Sequence, residues 1–149
     1  MNPEFCIVSD GSCDIPQSLA KENDIDIVYF LVSFNGSDYQ KEGVELELPE
    51  FYQQMVSDPD VYPKTAAPPP EDFYAVFKKR AEKGQDILCI CISTKLSSSV
   101  QSAEIARQML AESYPDTWAV VVDSLCCTLM QSAFVRALCG MPHAGWPYV

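Results

Sequence analysis

Short apolar segments alternate with helical segments along this chain, and this alternation limits the possible folds more than any other feature. Runs rich in β-branched and aromatic residues predict strands at 5–9, 25–34, 87–92 and 118–122. Amphipathic segments between and after them predict helices at 15–22, 49–56, 70–84, 99–112 and 125–139. This order predicts an α/β fold, with a mostly parallel sheet of about four strands and helices on both faces.

Local signals add detail to this outline. Asp14 is expected to cap the first helix, with Pro16 in its first turn. Asn35-Gly36 predicts a turn, after which 37–48 returns as a short hairpin and loop. The proline-rich stretch at 57–70 is interpreted as a long ordered loop, and Gly84 suits the end of the helix that follows it.

Length and charge exclude several classes of function. The chain has 149 residues, with 10 basic and 21 acidic side chains and a formal net charge of -11. We expect one domain at 1–139, followed by an irregular tail at 140–149. The acidic balance argues against binding to nucleic acid and to anionic membranes. Because no apolar run could span a bilayer and the start lacks a basic secretion signal, we expect a cytoplasmic protein without membrane insertion.

The reactive residue types show no pattern that indicates an enzyme, a metal site or a cofactor. Seven cysteines lie mostly within apolar runs, so we interpret them as small buried hydrophobic residues, and Cys89 and Cys91 should share one face of a strand. The one histidine, His143, falls in the tail, which leaves a zinc site or a Ser-His-Asp triad without its ligand or base. The chain also lacks a glycine-rich phosphate loop.

Polar loops follow three of the predicted strands. They cover 10–14, 93–99 and 123–124, and in a parallel sheet they should meet at the carboxyl edge, where ligands of such folds bind. Asp10, Asp14 and Asp123 could act there as metal ligands or acid–base groups, but helix capping and turn formation explain them better.

The stretch at 93–99, which we call the serine loop, is the strongest local signal. It places hydroxyl and N–H groups at a predicted helix start, a position that attracts anions such as carboxylate or phosphate. Ser98 and Gln101 form a capping box, and capping alone explains Ser98. Ser97 and Ser99 exceed what capping requires. Thr65, between prolines in the 57–70 loop, gains interest only if a second hydroxyl converges on it.

Five motifs, taken in order, resemble those of the bacterial DegV family, and the resemblance covers about residues 5–130. They are DGSCDIP at 10–16, Tyr39 and Gly43-Val44 followed by Phe51-Tyr52, PKT at 63–65 with Pro68, STKLS at 93–97 with QSA at 101–103, and VDS at 122–124. Each motif is weak alone, whereas five in the same order are specific. The resemblance implies the N-terminal domain of a DegV-type protein, with the EDD-type fold.

The resemblance also implies a function. Members hold one long-chain fatty acid, of the palmitate or oleate class, with the carboxylate near a domain junction and the acyl chain in an apolar tunnel. Some members present it to a separate fatty acid kinase. By position, Thr65 and Ser97 would bind the carboxylate through their hydroxyls, and Ser98 would add a backbone N–H. The chain is therefore expected to be a lipid carrier that is not an enzyme and needs no cofactor.

Departures from the family pattern leave an alternative open. Ala66 and Ala67 replace polar residues of the family motif, and Ser98 replaces a glycine. The second domain of the family, which supplies further carboxylate contacts, has no counterpart in these residues. The alternative is a non-binding scaffold, or a partner-interaction fragment with the same fold, whose exposed tunnel wall forms an apolar patch.

Overall fold

The computed structural model describes residues 5–139, which form seven strands and five helices. The strands are β1 (Phe5–Asp10), β2 (Ile25–Val28), β3 (Leu31–Ser33), β4 (Gln40–Lys41), β5 (Lys64–Ala66), β6 (Asp86–Cys91) and β7 (Ala119–Asp123). The helices are α1 (Gln17–Glu22), α2 (Leu48–Ser57), α3 (Pro70–Ala81), α4 (Ser99–Ser113) and α5 (Thr128–Cys139). The tail predicted at 140–149 lies outside the described residues, so the division into domain and tail stays a prediction.

The main sheet confirms the predicted fold class. Its four strands are parallel and lie in the order β2-β1-β6-β7, so the two strands with the most central positions are β1 and β6. Ile7 pairs with Ile25 of β2 on one side and with Leu88 of β6 on the other. Leu88 pairs in turn with Val120 of β7. The central strands are buried on both faces, which explains why their sequences are continuous apolar runs.

Helices α3 and α4 pack together on one face of this sheet. Phe73 and Phe77 of α3 are completely buried, and their ring centroids lie 6.1 Å apart. Ala103 and Ala106 of α4 contribute small side chains, so the two helices approach closely against Val8 and its neighbours. Burying each phenylalanine stabilises the fold by about 2–3 kcal/mol. This packing fixes the N-termini of α3 and α4 side by side at the carboxyl edge of the sheet.

Helices α1 and α5 cover the other face only in part. Ile7, Ile90 and Val135 lie in the core on this side, where α5 packs on β1 and β6. On β7, the side chains of Val120 and Val122 remain 47% and 38% exposed, and that of Trp118, which precedes the strand, is 75% exposed. We call these three residues the exposed β7 face. It is apolar although it lies on the surface of the described residues.

The second, smaller sheet was not predicted. The segment at 25–34, predicted as one strand, divides into β2 in the main sheet and β3 in an antiparallel sheet of order β4-β3-β5. The hairpin predicted after Asn35-Gly36 is present as the pairing of β4 with β3. The loop predicted at 57–70 contains β5, whose Thr65 pairs with Val32. Edge pairing of this kind requires a partner that is distant in sequence, so no local pattern reveals it.

Helix boundaries depart from the predictions at three sites. Asp14 does not cap α1, since Pro16 holds the position before the helix and Asp14 is exposed in a left-handed conformation, with φ of 51°. Helix α5 begins at Thr128 and not at Leu125, because Leu125 has a positive φ of 56° and belongs to the preceding bend. Helix α3 ends at Ala81, three residues before the predicted end, and Gly84 lies in the turn that follows, with a φ of +71°.

Four of the seven cysteines are buried, as their apolar surroundings predict, and the other three are half-buried. All seven are free thiols, and Cys6, Cys13, Cys89 and Cys91 are buried. The sulfur atoms of Cys89 and Cys91 lie 3.7 Å apart, which confirms that they share a face of β6. Burial raises the pKa of Cys6 to about 11. These thiols therefore act as packing groups, since the thiolate is the reactive form.

Candidate functional site

The three polar loops meet at the carboxyl edge of the main sheet, as the strand order predicts. The carboxylate of Asp10, at the end of β1, accepts a hydrogen bond of 2.9 Å from the N–H of Ile92, just after β6. The hydroxyl of Thr94 donates to Asp123, at the end of β7, over 2.7 Å. Neighbouring loops are thus joined by hydrogen bonds to the side chains of Asp10 and Asp123.

Asp123 has the turn role that the sequence favours. Its Oδ1 accepts from the N–H of Leu125 over 2.8 Å, and its Oδ2 accepts from both the hydroxyl and the N–H of Thr94. The Thr94 hydroxyl is the main cause that lowers the pKa of the Asp123 carboxyl. A second link joins the same loops, from the N–H of Ser93 to the carbonyl of Cys126. Asp123 therefore fixes the start of the serine loop.

Ser97 is half-buried, and its bonding leaves the hydroxyl proton available. Its Oγ accepts a hydrogen bond of 3.2 Å from the N–H of Ser99. Because a hydroxyl group can accept and donate at the same time, the O–H of Ser97 can still donate to an anion. This is the chemistry that binding a carboxylate requires.

Ser98 is exposed at the residue before α4, but the predicted capping box does not form. Its side chain makes no capping hydrogen bond, and its backbone φ and ψ of −85° and 12° differ from the extended conformation that suits a capping serine. Its carbonyl accepts from the N–H of Ser102, which begins the helical hydrogen bonds. The first N–H groups of α4 thus have no intrahelical partner and face the carboxyl edge, where an anion could accept from them.

Thr65 lies at the centre of β5 and is exposed. The chain continues from β5 through buried Pro68 into α3, so Thr65 lies shortly before the N-terminus of α3, as Ser97 lies before that of α4. These helices pack side by side, so both segments belong to the same edge of the domain. Within the described residues, no hydrogen bond links Thr65 to Ser97. The two residues are related only by the packing of α3, which follows Thr65, against α4, which follows Ser97.

Three cavities of this domain lie away from those hydroxyls. One of about 920 Å³ lies at the opposite, amino edge of the main sheet, against Phe5, Leu88, Trp118 and Val120. A second, of about 370 Å³, lies beside Asp14 and Glu42. A third, of about 320 Å³, lies under α2 near Phe34 and Gln54. The residues that line these three cavities do not include Thr65, Ser97 or Ser98.

Two carboxyl groups beside the 370 Å³ cavity have altered acidity. Partial desolvation raises the pKa of the Asp14 carboxyl although its side chain is exposed, and desolvation together with the charge of Asp14 raises the pKa of Glu42. Both shifts disfavour the charged form of the carboxyl group. Among residues 5–139, no three side chains of His, Cys, Asp or Glu are grouped to hold a metal ion.

Sequence reasoning missed a buried polar cluster below the carboxyl edge. Its side chains are all fully buried and come from β1, α4 and α5: Ser9, Asp10, Ser99 and Gln131. Gln131 donates to Asp10 over 2.8 Å, across 121 positions of sequence. Ser99, which the sequence left as a candidate for anion binding, donates to Asp10 instead. No local signal could have paired these residues, because a lone Gln in a helix is usually exposed.

In the part of the chain from Phe5 to Cys139, no helix has the length and apolar character that crossing a bilayer requires.

The sequence is similar to one known family over almost its full length. A family model described as an uncharacterised protein of the DegV family matches residues 4–147. A DegV domain-containing protein of Clostridium perfringens is 33% identical over 118 residues, which are 79% of this chain and 41% of the relative. The chain thus spans about half the length of the curated relatives it matches.

Solved structures have the same fold. A stearic acid-binding protein from Eubacterium ventriosum is similar with a TM-score of 0.93 and 35% identity, over 97% of this chain and 49% of that protein. A DegV family protein from Thermus thermophilus, described by its fatty acid binding, is similar with a TM-score of 0.81 and 28% identity, over 97% and 49% of the two chains.

Proposed function

The chain belongs to the DegV family, and from that premise we propose that it binds a long-chain fatty acid and carries it without chemical change. The observation that carries this proposal is the likeness to the stearic acid-binding protein of Eubacterium ventriosum, at a TM-score of 0.93. Other similar structures are described with vaccenic and heptadecanoic acid. The ligand class proposed for this chain is therefore a fatty acid of palmitate or oleate length.

The carboxylate is proposed to bind at the carboxyl edge, to the hydroxyls of Thr65 and Ser97 and to the backbone N–H of Ser98. The free proton of Ser97 and the exposed N-terminus of α4 support this assignment. Each hydroxyl that donates to a carboxylate contributes about 1.5–3 kcal/mol. Thr65, which lies shortly before the N-terminus of α3, would supply the second hydroxyl.

The acyl chain sets the strength of binding. Each buried CH₂ contributes about 0.8 kcal/mol, so a palmitate-length chain gains about 10 kcal/mol in a closed tunnel. The relatives are about twice as long as this chain, so part of the tunnel wall is expected from sequence that it does not span. We therefore expect weaker binding by this chain alone than by the longer proteins.

A carrier role for a fatty acid kinase is the finer part of the proposal. A carboxylate held at an open edge of the sheet remains accessible, so a kinase could phosphorylate it while the protein holds the acyl chain. The chain itself is proposed to have no catalytic residue. A cytoplasmic location is supported by the seven free thiols, which persist in a reducing compartment.

Native mass spectrometry of the full chain, expressed in bacteria and then incubated with palmitate, tests this function. We expect an added mass in the fatty-acid range, and its loss in Thr65→Ala combined with Ser97→Ala. The matched control is Thr117→Ala with Ser18→Ala, which removes the same two hydroxyl types from exposed or half-exposed positions outside the carboxyl edge. Retention of the lipid by the double variant would contradict the assigned site.

The alternative, a non-binding scaffold or partner-interaction fragment, is favoured by one specific observation. The 920 Å³ cavity, with Trp118 and Val120 of the exposed β7 face, forms an apolar surface at the amino edge of the main sheet, opposite to the serine loop. Such a surface commonly contacts another protein. A protein mass without lipid, and no uptake of added palmitate or oleate, would favour this alternative over the carrier.

A further inference from the structure

Asp10 is the centre of the buried polar cluster, and the arrangement of its hydrogen bonds is asymmetric. The side chain is completely buried at the end of β1. Its Oδ1 accepts from the amide of Gln131 over 2.8 Å and lies 2.5 Å from the hydroxyl of Ser12. These partners belong to α5 and to the turn after β1. The Oδ1 side therefore joins β1 to elements outside the serine loop.

The other oxygen of Asp10 contacts both ends of the serine loop. Oδ2 accepts from the N–H of Ile92, the residue before the loop, over 2.9 Å. It also accepts from the hydroxyl of Ser99, the last residue of the loop and the first of α4, over 2.6 Å. One buried oxygen atom thus joins the two ends of the serine loop.

Ser99 transmits this constraint to the proposed carboxylate ligand. The hydroxyl of Ser99 is held by Asp10, and its N–H donates to Oγ of Ser97 over 3.2 Å. That N–H occupies an acceptor position of Ser97 Oγ and so leaves the hydroxyl proton to donate to another group. The direction of the Ser97 hydroxyl therefore depends on where Asp10 holds Ser99.

We propose that Asp10 is a positioning residue, which clamps both ends of the serine loop through Oδ2 and so orients Ser97 to bind the head group of a fatty acid. This inference rests on the proposed function. Asparagine could not replace Asp10, because its NH₂ group would meet a donor on whichever side it faced. One of the two sides would lose its hydrogen bonds, and a buried donor without an acceptor is costly.

Two buried serines give a matched pair of variants. Ser99→Ala removes the link between Oδ2 and the C-terminal end of the loop, whereas Ser9→Ala removes a hydroxyl of the same cluster that donates to the carbonyl of Ile90 and accepts from Gln131. Both side chains are completely buried, so the two variants should lower the melting temperature by similar amounts. Only Ser99→Ala should alter the loop.

The experiment measures palmitate affinity and amide hydrogen exchange of the full chain for each variant. We expect Ser99→Ala to weaken palmitate binding about tenfold and Ser9→Ala to change it less than about twofold. Exchange in 93–101 should rise in Ser99→Ala and in Asp10→Asn, but not in Ser9→Ala. In a chain that already carries Ser97→Ala, Ser99→Ala should not reduce palmitate affinity any further. If Ser99 had only a structural role, its loss would reduce the affinity in that chain as well.

Two results would overturn the clamp: equal loss of affinity in Ser99→Ala and Ser9→Ala, or unchanged exchange in 93–101 when Asp10 is replaced. If the unaltered chain takes up no palmitate, the proposed function fails. The exchange measurement needs no ligand, so it then still decides whether Asp10 holds the loop.

Discussion

Arg80 is a charged residue inside the domain, and its partners explain why it can be buried. Its side chain is only 3% exposed at the end of α3. The guanidinium donates to both carboxylate oxygens of Asp24, over 2.8 and 2.9 Å, and its Nε donates to Asp26 of β2. A paired, fully bonded guanidinium avoids most of the cost of burial. The cluster therefore joins α3 to the edge strand of the main sheet.

Asp24→Asn should lower stability at neutral pH by about 0.5–1 kcal/mol, a small value because the Asp24 side chain is 73% exposed. The hydrogen bond from Arg80 lowers the pKa of Asp24 in the folded state. The contribution of the Asp24–Arg80 pair to stability is therefore complete above the pKa of Asp24 in the unfolded chain, about 3.9. It is lost as the pH falls through the pKa of Asp24 in the folded state. Urea unfolding of both proteins from pH 7 to pH 2 should show the difference disappearing below about pH 4.

The exposed Asp60 provides the control for this measurement. Asp60→Asn should unfold like the unaltered chain at every pH. A stability difference for Asp24→Asn that stayed constant down to pH 2 would show that the Arg80 pair does not cause it.

The candidate site could be predicted only as far as local sequence determines it. The three loops were placed at one edge because the direction of parallel strands fixes which loops are neighbours. The hydrogen bonds within that edge could not be predicted, since Asp10 finds its partners 89 and 121 positions away. Ser98 shows the reverse error: its spacing to Gln101 fits a capping box, but the backbone at Ser98 has another conformation.

At the scale of elements, strands and helices with a long apolar pattern were predicted well, and short ones were not. Burial on both faces makes β1 and β6 continuous apolar runs that local sequence reveals. Strand β5 has only three residues, two of them exposed, so its sequence resembles a loop. It exists because β3 offers a free edge, and the division of 25–34 into two strands has the same cause.

Gly84→Ala should destabilise the domain by about 1 kcal/mol. Gly84 follows α3 at a φ of +71°, with its N–H bonded to the carbonyl of Ala81, and a left-handed conformation strains any residue with a Cβ. A Cβ there would meet no atom within 4 Å, so the cost is that of the backbone alone. Urea unfolding at pH 7 measures it.

Gly11→Ala separates this backbone effect from the loss of glycine in general. Gly11 has no positive φ, and its added Cβ would make ordinary contacts at 3.5 Å with Tyr29 and Phe30. We expect Gly11→Ala to stay within about 0.5 kcal/mol of the unaltered chain. Equal destabilisation by both substitutions would contradict the role of the left-handed conformation at Gly84.

For the whole molecule, the contrast between the two faces of the main sheet is the main observation. Helices α3 and α4 cover one face, where Ala119 and Val121 of β7 are partly buried, whereas α1 and α5 leave the exposed β7 face in contact with solvent. Strand β7 is apolar on both sides, a pattern typical of a parallel strand that is covered twice. The relatives are about twice as long, so such a pattern suits a strand that lies inside a larger protein.

Substitutions on the two sides of β7 should therefore have opposite consequences. Val120→Thr with Val122→Thr should reduce the binding of an apolar dye such as anilinonaphthalene sulfonate and lower stability by less than about 0.5 kcal/mol, because both side chains already contact water.

Val121 packs against the core on the opposite face, beside Val100 and Ala103. Val121→Thr should keep the dye binding and cost about 1–2 kcal/mol, since it places a hydroxyl in an apolar core. Urea unfolding and dye fluorescence, measured on the same samples, test both statements. Equal dye binding by the double variant and the unaltered chain would show that the dye-accessible apolar surface lies elsewhere, and the exposed β7 face would then have no measurable consequence.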